Sequence, residues 1–272
     1  MIRRLSDILL LSDLDGTLFD EPYGSRCLVS PQNREAVRRF VAEGGHFAIA
    51  TGRAHPIALG LTGELSINFP SVFVNGGYIY DVEKNELSCR SFVNSVSKHE
   101  VRAAAERFNG LNASVYYNDH GQFPLTDGGA PDILRDETHG DQRLKDIDCG
   151  IYKYMFFTDP ERLEDFRLYL KDEFEDRCDV VVSATTLVEM LPKGVSKAYG
   201  IRRLLDLTGW SAENVVAVGD YYNDLEMLDM AGTAVCMDNA PDAVKAHADL
   251  IVKGCREHGV ADLIERLEEM YL

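Results

Sequence analysis

The sequence predicts an α/β protein, a doubly wound parallel sheet with helices on both faces, interrupted by a second domain of α+β type. Short apolar runs alternate with amphipathic stretches at both ends of the 272-residue chain. Several of those runs stop abruptly at Asp, Thr or Gly clusters, as strands do at the edge where a parallel sheet binds ligands. The middle of the chain loses the strict alternation and carries hairpin and loop signals instead.

Taken in order, the run over 8–11 reads as a buried strand ending at Asp13. Ser30 caps a helix that has Pro31 at its first position, and Gly44-Gly45 stops it. A second strand over 46–50 enters Thr51-Gly52-Arg53, and a helix follows from about Ala54. A third strand covers 72–74, and Asn75-Gly76-Gly77 reads as a tight turn into 78–80. Further strands are predicted at 87–93, 115–118, 152–157, 180–182 and 187–191, with helices near 98–108 and 161–174. Loop signals gather at Asp127-Gly128-Gly129-Ala130-Pro131. Alternation then resumes with a strand at 215–218, a helix through 225–230, and short strands at 234–237 and 250–252. Val260, Leu263, Ile264 and Leu267 mark one face of a closing helix. The expected division is a core of 1–81 and 190–272 with 82–189 inserted.

Composition narrows the function. Lys and Arg number 28 against 45 Asp and Glu, a net charge of −17, which argues against a surface that tracks nucleic acid. No apolar stretch is long enough to span a bilayer, and the first apolar run is too short for a secretory signal. The six cysteines (Cys27, Cys89, Cys149, Cys178, Cys236, Cys255) form no CxxC pair, so free thiols in a reducing cytoplasm are expected. Oligomeric state is not legible.

Four polar clusters carry chemistry: Asp13-Leu14-Asp15-Gly16-Thr17, Thr51-Gly52-Arg53, Lys197 after Gly194-Val195-Ser196, and Gly219-Asp220-Tyr221-Tyr222-Asn223-Asp224. If the first strand is central, flanked by the second and by 215–218, all four converge at one edge. Asp13 and Asp15, two apart, could face one ligand on an extended chain. Acids that close need a cation or a shared proton. Asp13, Asp220 and one backbone carbonyl are hard oxygen donors suited to Mg²⁺. Thr51 offers a hydroxyl and Gly52 an N–H to phosphate oxygens, and Lys197 a point charge. Positioning and charge neutralisation are what phosphoryl transfer requires.

On these motifs, in this order, with Asn75-Gly76-Gly77 and Met237-Asp238-Asn239-Ala240 beside them, the chain resembles the haloacid dehalogenase superfamily of phosphatases. The resemblance is to the Cof-like branch, whose large cap is inserted between the second and third motifs. It implies a Rossmann-like core, Mg²⁺ as cofactor and a small phosphorylated metabolite as substrate. It also implies roles. Asp13 would be the nucleophile that forms an aspartyl-phosphate, and Asp15 the acid and base. Asp13, Asp220 and the Asp15 carbonyl would hold the metal, and Asp224 a metal-bound water or the surrounding shell. Leu14 N–H, Thr51, Gly52, Lys197 and Asn223 would contact phosphate, while the cap closes over the site. Departures from the branch pattern are Ala198 after the lysine, Tyr221 and Tyr222 in the fourth motif, and Lys253-Gly254-Cys255-Arg256, which lacks a usual Asn.

Plainer roles compete for some of these residues. Thr51 could cap the following helix. Lys193 rivals Lys197, and Asp224 could simply favour a helix N-terminus. Arg53 could contact substrate or pair with a carboxylate of the cap or core. A phosphomannomutase-like transfer and a receiver-like phospho-switch share parts of the pattern. A receiver would need neither Asp15 nor the long insertion.

Overall fold

The computed structural model describes residues 2, 4–21, 27–117, 121–126 and 150–271. The loop expected at 127–131, Asn118 at a predicted strand end and Cys149 lie outside the described residues. In chain order the elements are β1 (Leu9–Ser12), α1 (Pro31–Ala42), β2 (His46–Ile49), α2 (His55–Thr62), β3 (Ser71–Phe73), β4 (Tyr78–Asp81), β5 (Glu86–Ser88), α3 (Lys98–Arg107), β6 (Asn112–Tyr117), β7 (Gly121–Pro124), β8 (Ile151–Phe157), α4 (Pro160–Phe174), β9 (Cys178–Ala184) and β10 (Leu187–Pro192). They continue as α5 (Lys197–Thr208), β11 (Val215–Gly219), α6 (Leu225–Met230), β12 (Thr233–Met237), α7 (Asp242–Lys245), β13 (Leu250–Val252) and α8 (Gly259–Tyr271). Two compact units result: Met1–Cys89 with Ser196–Leu272, and Arg90–Val195.

The first unit holds a sheet in the order β13-β12-β11-β1-β2, parallel throughout. All four residues of β1 are buried, as expected of a parallel strand covered on both faces. On one face Leu9, Leu11, Ala48 and Ala217 pack against Ile201 and Leu204 of α5 and Met227 and Leu228 of α6. α1 packs against β2 and against α8. Ser30 Oγ accepts the Asn33 N–H at 3.1 Å and Pro31 opens α1, so this helix starts where its capping residues dictate. The Asn33 side chain then donates to Leu18 O and accepts from Ala261 N–H, tying α1 to the turn after β1 and to α8.

β1 sits where strand order reverses, between β2 that follows it and β11 far along the chain. Leu9 pairs with both Val215 and His46, and Ser12 with both Val218 and Ile49. Three strands therefore end level. Asp13, Thr51 and Asp220 follow those ends, and Asp13 N–H still donates to Val218 O at 2.9 Å. The edge continues through a parallel bridge from Ala50 to Val72, after which β3, β4 and β5 form a small antiparallel sheet. Gly76, between β3 and β4, has φ of +95°, and a Cβ there would lie 2.0 Å from Ser196 O. Only glycine lets this turn meet the start of α5 so closely.

The second unit holds an antiparallel sheet in the order β7-β6-β8-β10-β9. Its core joins Val101 and Ala105 of α3 and Phe166, Leu170 and Phe174 of α4 to Tyr154, Phe156, Val188 and Met190. Ser97 and Glu100 form a reciprocal capping box at the start of α3. A buried Lys153–Glu189 ion pair, with Ser183 Oγ donating to Glu189, joins β8, β10 and β9.

The strand expected over 87–93 is shorter. β5 ends at Ser88 because Cys89 takes φ of +56°, and β5 pairs with β4 of the first unit. Among the described residues, no helix is long and apolar enough to cross a membrane.

Candidate active site

β1 delivers Asp13 as the last extended residue, with φ −65° and ψ 166°. The chain then turns. Gly16 takes φ of +78°, and a Cβ on it would lie 2.2 Å from Asp220 Oδ2. The Gly that completes the first motif thus makes room for the first acid of the fourth. Asp15 lies in this turn, with φ −74° and ψ 118°, and not on an extended strand. Its carboxylate is paired with Arg53. It takes two hydrogen bonds from Arg53, Nε to Oδ2 at 2.7 Å and Nη2 to Oδ1 at 2.5 Å. Arg53 thus pairs with a core carboxylate, one of the partners open to it.

One carboxylate oxygen each from Asp13, Asp220 and Asp224 lies within 4.8 Å of the others, and all three residues are buried. Lys197, whose side chain is 1% exposed, places Nζ 2.6 Å from Asp13 Oδ1 and 2.6 Å from Asp224 Oδ1. Lys193, its rival in the sequence, has a half-exposed side chain and bonds Asp179 and Glu175 O. Burial alone would lower the Lys197 ammonium, but the two carboxylates outweigh it and hold its pKa above the ordinary lysine value. Burial pushes Asp13 up to about 7; Lys197 opposes the shift, and Asp224 and Asp15 add to it. Asp220 is pushed up to about 8 by burial first and then by Asp13 and Asp224, against the pull of Lys197 and the Thr17 hydrogen bond.

These directions test whether a cation fits. Ionised, the three carboxylates exceed the one ammonium by two charges, and burial makes that excess costly. The donors are all hard carboxylate oxygens, with neither thiolate nor imidazole among them. A divalent hard cation such as Mg²⁺ matches both the charge and the donor type.

Asp220 is also fixed by neutral donors. Thr17 Oγ1 donates to its Oδ1 at 3.2 Å, and Asn239 Nδ2 to its Oδ2 at 3.2 Å. Asn239 Nδ2 also donates to Gly16 O at 2.9 Å, and Asn239 Oδ1 accepts the Cys255 N–H at 2.8 Å. Asp224 stands where α6 begins but does not cap it. Its Oδ2 accepts the N–H groups of Asp220 and Tyr221 at 3.0 and 3.1 Å, closing the loop that carries Asp220.

Thr51 is buried and does not cap α2, which starts four residues later behind Ala54. Its Oγ1 accepts the Arg53 N–H at 3.1 Å. Gly52 lies against Asn75, where a Cβ would come within 3.1 Å of Asn75 Oδ1. That same oxygen accepts from Asn223 Nδ2 at 3.4 Å. Leu14 is buried at the start of the turn. The second and fourth motifs are therefore joined through Asn75, a buried residue with φ of +52°. Asn75 and Asn239 were visible in the sequence only as a turn and as part of a motif. Of the two tyrosines, Tyr222 is half-exposed, and its ring meets Tyr221 edge-on at 5.1 Å.

A family model for haloacid dehalogenase-like hydrolases matches residues 10–264. The chain is 30% identical, over 94% of its length and 96% of the relative, to 5-amino-6-(5-phospho-D-ribitylamino)uracil phosphatase YwtE of Bacillus subtilis. It is 26% identical, over 93% of its length and 95% of the relative, to pyridoxal phosphate phosphatase YbhA of Escherichia coli. An Arabidopsis thaliana protein, chloroplastic endoribonuclease YBEY, is 29% identical over 94% of this chain, which spans only 46% of that protein. A solved haloacid dehalogenase-like hydrolase from Bacteroides thetaiotaomicron superposes with a TM-score of 0.75 at 29% identity, covering 96% of this chain and 99% of that one. The doubly wound α/β sheet with polar loops at its switch point is a Rossmann-like core, and the family match makes it that of a hydrolase. The chain belongs to the haloacid dehalogenase-like hydrolase family, in its Cof-like branch, and is an enzyme of that family's phosphatase type.

Proposed function

We propose that this enzyme is a Mg²⁺-dependent phosphomonoesterase that hydrolyses small phosphorylated metabolites, sugar phosphates or related compounds, through an aspartyl-phosphate on Asp13. The observation that carries the reading is the buried cluster of Asp13, Asp220 and Asp224 beside a single ammonium, Lys197. Asp13, Asp220 and the Asp15 carbonyl would hold Mg²⁺, with Asp224 supporting the shell. When bound, the ion offsets the negative charge of the carboxylates and of the phosphoryl group.

The chain's own residues do the rest. Asp13 attacks phosphorus and the ester P–O bond breaks. Asp15 gives a proton to the departing alkoxide, then takes one from the water that cleaves the acyl phosphate, so that orthophosphate leaves and Asp13 is restored. Lys197 faces both the nucleophile and the phosphoryl oxygens. Leu14 N–H, Thr51, Gly52 and Asn223 supply hydrogen bonds to those oxygens, with Asn75 holding Asn223 and Gly52 side by side. Asp224 fixes the Asp220 loop. The inserted segment, 82–189 by sequence, is the proposed cap that distinguishes one metabolite from another.

Two relatives named for phosphatase activity on small phosphorylated compounds support the substrate class. The acidic composition supports the absence of a nucleic-acid partner. The six scattered cysteines form no CxxC pair in the sequence, which supports a reducing, cytoplasmic setting. The test is phosphate release from p-nitrophenyl phosphate by purified protein with Mg²⁺. Release should stop with chelator and fall by orders of magnitude in Asp13→Asn. Full turnover in either case contradicts the proposal.

A further inference from the structure

We infer that Arg53 is a positioning residue that holds the Asp15 carboxyl group in one orientation for proton transfer; this rests on the acid and base role proposed for Asp15. An aspartate carboxyl rotates broadly about its last bond, so nothing in the side chain alone fixes which oxygen faces a substrate. The Arg53 fork removes that freedom. Its Nε and Nη2 bond different oxygens of Asp15, at 2.7 and 2.5 Å, which sets the plane of the carboxyl group as well as its place. Each carboxylate oxygen retains a second lone-pair direction, so the pairing leaves room for a leaving-group oxygen.

The fork is itself anchored. The Arg53 N–H donates to Thr51 Oγ1 at 3.1 Å, and its carbonyl accepts the Val74 N–H at 3.1 Å. The guanidinium carbon lies 5.7 Å from the centroid of the fully buried Phe19 ring. The side chains of Arg53 and Asp15 are only 12% and 15% exposed. A pair so placed is neither a screened surface bridge nor free to choose its geometry. The second motif thus contributes a side chain to the Asp15 end of the reaction, besides its expected contribution to phosphate.

The reaction requires Asp15 most when the leaving group is poor. The experiment compares p-nitrophenyl phosphate, whose phenolate departs with little help, with glycerol 2-phosphate, whose alkoxide needs a proton. Wild type, Asp15→Asn, Arg53→Ala, Arg53→Gln and Arg53→Lys are assayed for kcat and KM, each checked for folding by thermal melt. Asp15→Asn should lose about 10²-fold more kcat on the alkyl ester than on the aryl ester. Arg53→Ala and Arg53→Gln should show the same bias at about tenfold, and added guanidinium should restore the alkyl rate of Arg53→Ala. Arg53→Lys, with charge but no fork, should keep most of the bias.

Equal losses on both esters in the Arg53 variants, or a raised KM with unchanged kcat, would overturn the positioning role and return Arg53 to substrate binding. Bias absent from Asp15→Asn itself would instead remove the Asp15 reading on which the inference stands. The two failures are therefore told apart by one data set.

Discussion

Lys197 Nζ lies 2.6 Å from Asp13 Oδ1, and the side chains that make this contact are 1% and 8% exposed. The ammonium comes from the first residue of α5, the carboxylate from the residue after β1. The same ammonium reaches Asp224 at 2.6 Å. It is therefore, among the described residues, the positive charge that lies between two buried acids, and its removal is the sharpest available perturbation of the cluster.

Lys197→Met replaces that charge with an apolar chain of similar length. Removing one partner of a buried pair costs about 3–5 kcal/mol, because the remaining charge is left uncompensated. Urea unfolding in chelator should show a loss of about that size, and phosphatase turnover should fall by orders of magnitude. A variant as stable and as active as wild type would refute the electrostatic picture.

Stability of the metal-free protein should depend on pH in a definite direction. Asp13 is held at about 7 and Asp220 at about 8, both above the ordinary 3.8. The folded state therefore binds these protons more tightly than the unfolded chain. The stabilising contribution is complete below pH 3.8 and is lost as pH rises through 7 and 8. Thermal melts in chelator should show a falling midpoint across that window, and Mg²⁺ should restore most of the loss at its alkaline end. Asp220→Asn should flatten the metal-free slope and remove the Mg²⁺ increment. A metal-free midpoint that climbs with pH contradicts the assignment.

Asn239→Ala tests support for the proposed metal ligand. The amide steadies Asp220 Oδ2 and Gly16 O together, and it is held in turn by Cys255 N–H. Loss of such an outer partner weakens metal binding by about 10–100-fold. The Mg²⁺ concentration for half-maximal phosphate release should rise by that factor, with kcat at saturating Mg²⁺ much less affected. An unchanged Mg²⁺ requirement would make Asn239 merely structural.

Most of the core was legible because its elements carry their own boundaries. The strand expected over 250–252 is Leu250–Val252, and the helix through 225–230 is Leu225–Met230. Ser30-Pro31 announced α1 by chemistry that the structure repeats atom for atom. The switch-point position of β1 stood only as a condition in the sequence, since polar clusters that end apolar runs do not fix strand order. β7 went unread: Gly121 and Pro124 at its ends are residues that ordinarily break strands.

Side-chain partners were less legible than elements. The i, i+2 spacing set Asp13 and Asp15 together as candidates, but nothing in it names the side chain that pairs with Asp15. Asp15 meets Arg53 across 38 residues of sequence, and Asn75 meets Asn223 across 148, so no local signal encodes either contact. The level ends of β1, β2 and β11, with β3 bridged on through Ala50 and Val72, bring them into reach.

The most direct test of the whole account is the site of phosphorylation during turnover. Wild-type enzyme with Mg²⁺ and p-nitrophenyl phosphate is quenched in acid, digested, and read by tandem mass spectrometry. A phosphate increment on Asp13, absent in Asp13→Asn, is the predicted result. Sustained hydrolysis with the increment on another residue would contradict it.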